Sequence, residues 1–234
     1  MFKPVLLLTL LLAGGTASAG DPVTDAMQKT YAPYRVALFK TGNNAKDEAR
    51  QALTKAQQGW SQLADRFGTQ PPAPYDRDPA FASSLAEVSQ VYAKAAAEID
   101  QNQLGAAHHT LERAREAMAE LRRRNQIITY SDHMNAYHSQ MELVLIDGAK
   151  TLAAPKGMLE LTAQVGALEY LANKLTSEAS PENSKNQEFV SLDKAVRQSV
   201  EDLKAALFAQ DADKVNAAIG KLKGPYAKLF NKFG

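Results

Sequence analysis

Between positions 104 and 121 the apolar residues fall at Leu104, Ala107, Leu111, Ala114, Met118 and Leu121, at intervals of three and four. That spacing draws one stripe along a helix and does not fit the alternation of a half-buried strand. The same spacing recurs in Phe81, Leu85, Val88, Tyr92 and Ile99. Composition agrees: 40 Ala and 26 Leu stand against only 16 Val and Ile together, a balance that favours helix over sheet. The fold class is all-α.

Breakers divide the chain into about eight helices. The first runs over 24–41 and stops at Gly42-Asn43-Asn44, and the second ends at Phe67, where Gly68 can close it. Pro71, Pro72 and Pro74 make the next stretch a loop. Asp78-Pro79 reads as an N-cap with a first-turn proline, so the third helix is expected to start there. Further helices are expected over about 103–124, from Thr129 or Ser131 to 152, over 155–176 and over 188–209. Asp211 caps the last helix, which is expected to kink at Gly224-Pro225.

The two halves align without a gap at an offset of 108 residues. Leu53 meets Leu161, Phe81 meets Phe189, Val88 meets Val196, Leu111 meets Ile219 and Leu121 meets Leu229. The proline loop and the second polar loop coincide as well. This predicts two tandem, pseudo-repeated antiparallel four-helix units, residues 20–125 and 126–234, packed side by side or as one domain.

Residues 1–19 have the order of a secretory signal peptide. Lys3 precedes a short apolar run, and Ala17-Ser18-Ala19 supplies an A-x-A cleavage site. The run is shorter than the roughly 20 residues of a permanent span. Export with cleavage near Ala19 places the mature chain in a bacterial periplasm, with no membrane span after cleavage. The 27 Lys and Arg nearly balance the 26 Asp and Glu, which argues against a nucleic-acid binder or an anionic-membrane binder. The absence of cysteine excludes disulfides, thiolate metal sites, a cysteine nucleophile and covalent c-type haem.

All four histidines, His108, His109, His133 and His138, lie near the junction of the halves, among Glu112, Glu116, Met134, Met141 and Glu142. Imidazole, carboxylate and thioether are the metal ligands open to a cysteine-free chain. His138 and Glu142 are four apart on a helix and share a face, with Met134 and Met141 close by. If the helices on either side of residue 127 pair as an antiparallel hairpin, Glu142 comes level with Glu112. The phase of the 104–121 stripe puts His109 and Glu116 on the solvated side and His108, with Arg115 beside it, nearer the apolar face.

The expected site is therefore His138 and Glu142, completed from His108, Glu112, Met141, Met134 and His133, binding iron, copper, zinc or manganese without catalysis, in storage, delivery or sensing. Two other readings remain open. One is a metal-free helical module that holds another periplasmic or envelope protein. The other is a noncovalent haem bundle, since the four-helix units are similar in layout to cytochromes c′ and b562 and His or Met could ligate the iron. The segment Ala107–Glu112 also resembles the Gly-x-His-x-x-Glu signature of imelysin-like periplasmic proteins, which are helical and internally duplicated. Ala107 stands in the glycine's place, the likeness covers six residues, and no family is assigned from it. No phosphate loop, zinc-protease helix or nucleophile elbow is present.

Overall fold

Local capping sets where each helix begins in the computed structural model, which describes residues 21–234. The signal peptide expected at 1–19 lies outside the described residues. Asp21 accepts the Thr24 backbone N–H at 2.7 Å and opens α1 (Pro22–Gly42). α2 is Lys46–Phe67, and a 3-10 turn at Tyr75–Arg77 leads to α3 (Phe81–Asp100) and α4 (Leu104–Arg124). Thr129 and Asp132 form a capping box at the start of α5 (Tyr130–Ala153). α6 (Gly157–Ser177) is followed by a short α7 (Pro181–Lys185), capped by Ser180. Asn186 caps α8 (Gln187–Phe208), and Asp211 caps α9 (Ala212–Ile219). α10 is Lys223–Phe233. The described residues contain no strand.

The 108-residue offset holds at the level of these elements. It carries the starts of α1 and α4 onto the starts of α5 and α9, and the end of α3 onto the end of α8. It also carries the 3-10 turn onto the end of α7. The matched apolar pairs Leu53 and Leu161, Phe81 and Phe189, Val88 and Val196, and Leu121 and Leu229 are all buried. Packing order repeats too. α1 packs on α2, α2 on α3, α3 on α4, and α4 returns to α1. α5 packs on α6, α6 on α8, α8 on α9 and α10, and both return to α5. Gly148 permits the close approach of α9 to α5: a Cβ there would stand 2.8 Å from Ile219 Cδ1. The two cycles meet where α1 packs on α10, and the buried apolar side chains form one continuous cluster.

Three local readings need correction. The last helix breaks between Ile219 and Lys223, upstream of the expected kink. Pro225 then sits in the first turn of α10, where a missing N–H leaves no hydrogen bond unmade. The third helix starts at Phe81, because Asp78 accepts the Ala80 N–H at 2.9 Å and turns the chain before α3 begins. The polar loop after Ser177 holds the extra turn of α7.

Four of the helix-to-helix turns share one device. Asn44, Asn102, Gln126 and Gln210 have φ of 56°, 61°, 58° and 54°. The following N–H in each returns to a carbonyl five residues back, as from Ile127 to Arg122 at 3.0 Å and from Asp211 to Ala206 at 3.2 Å. This is the Schellman closure, in which glycine is the favoured left-handed residue. Asparagine tolerates that region, whereas glutamine carries its strain. Gln126→Gly and Gln210→Gly should each stabilise the protein by about 0.5–1 kcal/mol, the relieved strain being partly offset by the freedom of glycine in the unfolded chain. Urea unfolding checks this as a higher midpoint at constant slope.

Candidate functional site

The two helices that carry the histidines do not form the hairpin that the sequence suggested. α4 belongs to the first cycle and α5 to the second, and they are not a closely packed pair. α1 and α10 stand between them instead, through Tyr31, Tyr226 and Phe230. The consequence is two clefts in place of a paired surface. The first, about 590 Å³, is lined from α1, α4, α5 and α10, by Leu38, Thr41, His108, Glu112, Arg115, His138, Lys223, Tyr226 and Phe230 among others. The second, about 540 Å³, opens where α4 and α5 diverge, and includes Glu116, Arg123, Ile128 and Asn135. Arg115 lines both.

In the first cleft His108 has a defined orientation. Its Nδ1 lies 3.0 Å from the Leu38 carbonyl oxygen and 3.2 Å from Thr41 Oγ1. A carbonyl only accepts, so Nδ1 carries the proton and donates, and Nε2 keeps its lone pair. This is the arrangement that fixes a metal-ligating imidazole from behind. Nε2 is 3.9 Å from Glu112 Oε1. Burial holds the His108 ring below the usual histidine range despite that carboxylate.

His138 stacks at an angle on Tyr226, with ring centres 5.3 Å apart. It is driven further from protonation. Burial, then the positive charges of Arg115 and Lys223 and the neighbouring His108, push it down to about 3. Both imidazoles are thus neutral at physiological pH. His138 Nε2 is 3.6 Å from Glu142 Oε1, which in turn lies 3.3 Å from Lys223 Nζ. That carboxylate oxygen is buried and makes no hydrogen bond.

The structure therefore brings His108, Glu112 and His138 to one cleft, with Glu142 behind Lys223 at its edge. It does not bring the remaining candidates there. Met134 and Met141 are wholly buried in the apolar core, where Met134 contributes only its carbonyl, accepting from the Tyr226 hydroxyl at 3.2 Å. His133 lies apart, 3.9 Å from Glu178 at the end of α6. His109 and Glu116 are exposed, as their helical phase predicted. Among the described residues no three His, Asp or Glu side chains converge as a ready-made metal-ligand set. Glu112 and Glu142 miss each other because the hairpin that would have paired them is absent.

Sequence reasoning placed Arg115 beside His108 without giving it a role, and passed over Lys223; of the two, the role of Arg115 was detectable. Arg115 interrupts the α4 stripe between Ala114 and Met118, as Arg122 does one heptad later. A charge on an apolar stripe is either matched in the core or placed at a site. Lys223 follows the break that ends α9, which aims the start of α10 at the cleft.

Comparison with family models, curated proteins and solved structures gives no match. The six-residue likeness to imelysin-like proteins has a solvent-exposed histidine, with the His109 side chain 82% exposed. Among the described residues no helix is long and apolar enough to cross a membrane.

Proposed function

We propose that this is a noncatalytic binding protein of the periplasm, holding a transition metal in the first cleft, and that the metal arrives with ligands of its own. The observation that carries this reading is the pair of neutral imidazoles on one cleft, with His108 Nδ1–H fixed on the Leu38 carbonyl and Nε2 free to ligate.

Three features favour a metal complex over a bare ion. Among the described residues, the donors gathered at the cleft fall short of the four or more that a bound ion takes from its surroundings. Arg115 and Lys223 raise the local positive potential, which opposes a free cation and attracts an anionic chelate. Leu38, Tyr226 and Phe230 give the cleft apolar walls that a hydrated ion does not need. Haem is the best-defined complex with these properties: a flat apolar body, carboxylates at one edge and an iron that accepts imidazole. A bare metal ion is the second reading, favoured by the 3.6 Å approach of His138 to Glu142.

Titration of the purified protein with haem, and separately with copper and zinc ions, distinguishes these. Haem should bind one to one with a shifted, sharpened absorption band. His108→Ala and His138→Ala should each weaken binding at least tenfold with unchanged helical circular dichroism. Saturation by the ions alone, lost in Glu142→Ala, would select the second reading. Binding of neither would leave the helical interaction module as the better description.

A further inference from the structure

We infer that Arg115 is the receptor for an oxyanion, a carboxylate of the ligand, in the first cleft; this rests on the reading of that cleft as the ligand site.

The argument is a contrast between two arginines on one helix face. Arg122 and Arg115 sit on the apolar stripe of α4 and are 1% and 7% exposed. Arg122 is matched: its Nε donates to both oxygens of Asp132, at 3.0 and 3.2 Å, and its Nη2 adds a third bond. Such a fork-to-carboxylate pairing is how a buried guanidinium is normally satisfied. Arg115 has no equivalent. Glu112 Oε1 lies 3.9 Å from its Nη2, beyond hydrogen-bond length. Tyr34, which lies close enough to feel the Arg115 charge, donates its hydroxyl proton to the Leu111 carbonyl at 3.0 Å. Arg115 is 7% exposed, and the openings beside it are the two clefts that it lines.

What Arg115 does have is an opening. It lines the cleft together with Lys223 and Lys228, two further cations, and Glu112 is the acidic residue on the same wall. Glu142 is engaged by Lys223. The cleft thus presents a rigid planar fork, with its neighbouring carboxylate Glu112 beyond hydrogen-bond length, inside a predominantly positive, partly apolar recess. A planar carboxylate meets that fork with two parallel hydrogen bonds, while the ligand's apolar body lies against Leu38 and Phe230 and its metal reaches the imidazoles.

The test compares haem with haem dimethyl ester, which keeps the metal and the apolar plate but has no free carboxylate. The wild-type protein should bind the diacid at least tenfold more tightly. Arg115→Met should erase that preference. His108→Ala and His138→Ala should weaken both forms and leave the preference intact. A diacid preference that survives in Arg115→Met overturns the assignment. Should that variant fail to fold, Arg115→Lys, which keeps charge and loses the fork, carries the same comparison. If the wild-type protein binds neither form of haem, the metal reading fails, and Arg115 is judged with citrate. A rise in melting temperature with millimolar citrate in the wild type, absent in Arg115→Met, supports the receptor; no rise overturns it.

Discussion

Asp132→Ala should destabilise the protein by about 3 kcal/mol, the lower end of the range found when one partner of a buried ion pair is removed, because Arg122 is buried while the Asp132 side chain is 21% exposed. Asp132 serves two elements at once. It neutralises Arg122, which is 1% exposed, and its Oδ2 accepts the Thr129 backbone N–H at 2.8 Å and the Thr129 hydroxyl at 2.9 Å. The substitution leaves Arg122 charged and unmatched and uncaps α5. Against a total stability of about 5–15 kcal/mol for a typical domain, this approaches the threshold of folding. Urea unfolding measures it. The double variant Arg122→Met, Asp132→Leu should recover most of the loss, because no unmatched charge then remains. A single variant as stable as the parent would show that the pair is not the clasp between α4 and α5.

The second large effect is on acid stability. His138 is pushed down to about 3 in the folded protein, from about 6.5 in an unfolded chain. Between those values the unfolded state binds the proton and the folded state does not, so stability rises with pH through this window. The contribution is complete above pH 6.5 and is lost as pH falls towards 3, at up to about 1.4 kcal/mol per unit and roughly 4–5 kcal/mol in all. Other groups also titrate here, so the difference between wild type and His138→Gln is the informative quantity. Relative to the parent, the variant should be least stable at pH 7 and should gain about 3 kcal/mol on it between pH 7 and pH 4. Parallel pH profiles for the two proteins would contradict the burial of a neutral imidazole. The same displacement sets ligand binding: proton competition at His138 should begin well below the ordinary histidine range, so a complex held there survives mild acid.

Most of the fold could be read from the chain because its information is local. Stripes such as Leu104 to Leu121, caps such as Asp211 and Asn186, and the repeated order of breakers each act within a few residues. The kink was misplaced for the same reason: Pro225 signals a break, but whether it lies before or within the proline's turn depends on how α10 docks. The site was legible in part. His108, Glu112 and His138 are polar groups of the right chemistry near an apolar face, and they do share a cleft. The partners were mistaken because chain proximity across the 125–129 turn suggested a hairpin. The long-range packing of α1 on α10, which no local pattern encodes, separates α4 from α5. Methionines were overrated for a related reason. On a helix covered from several sides, a thioether at helical spacing fills core, as Met134 and Met141 do.

The contact of α1 with α10 joins the two ends of the described chain, with the Tyr31 and Phe230 rings 6.4 Å apart. Each four-helix cycle is assembled largely from neighbours in sequence, whose loops are short and quick to close. The first cleft takes its walls from Leu38 near one end and from Lys223 to Phe230 near the other. During synthesis the amino-terminal cycle can fold while the rest is still being made. The cleft cannot exist until the final helix has arrived. Possession of the ligand would therefore depend on the presence of α10, and a product that stops before Lys223 would lack the wall that α10 supplies.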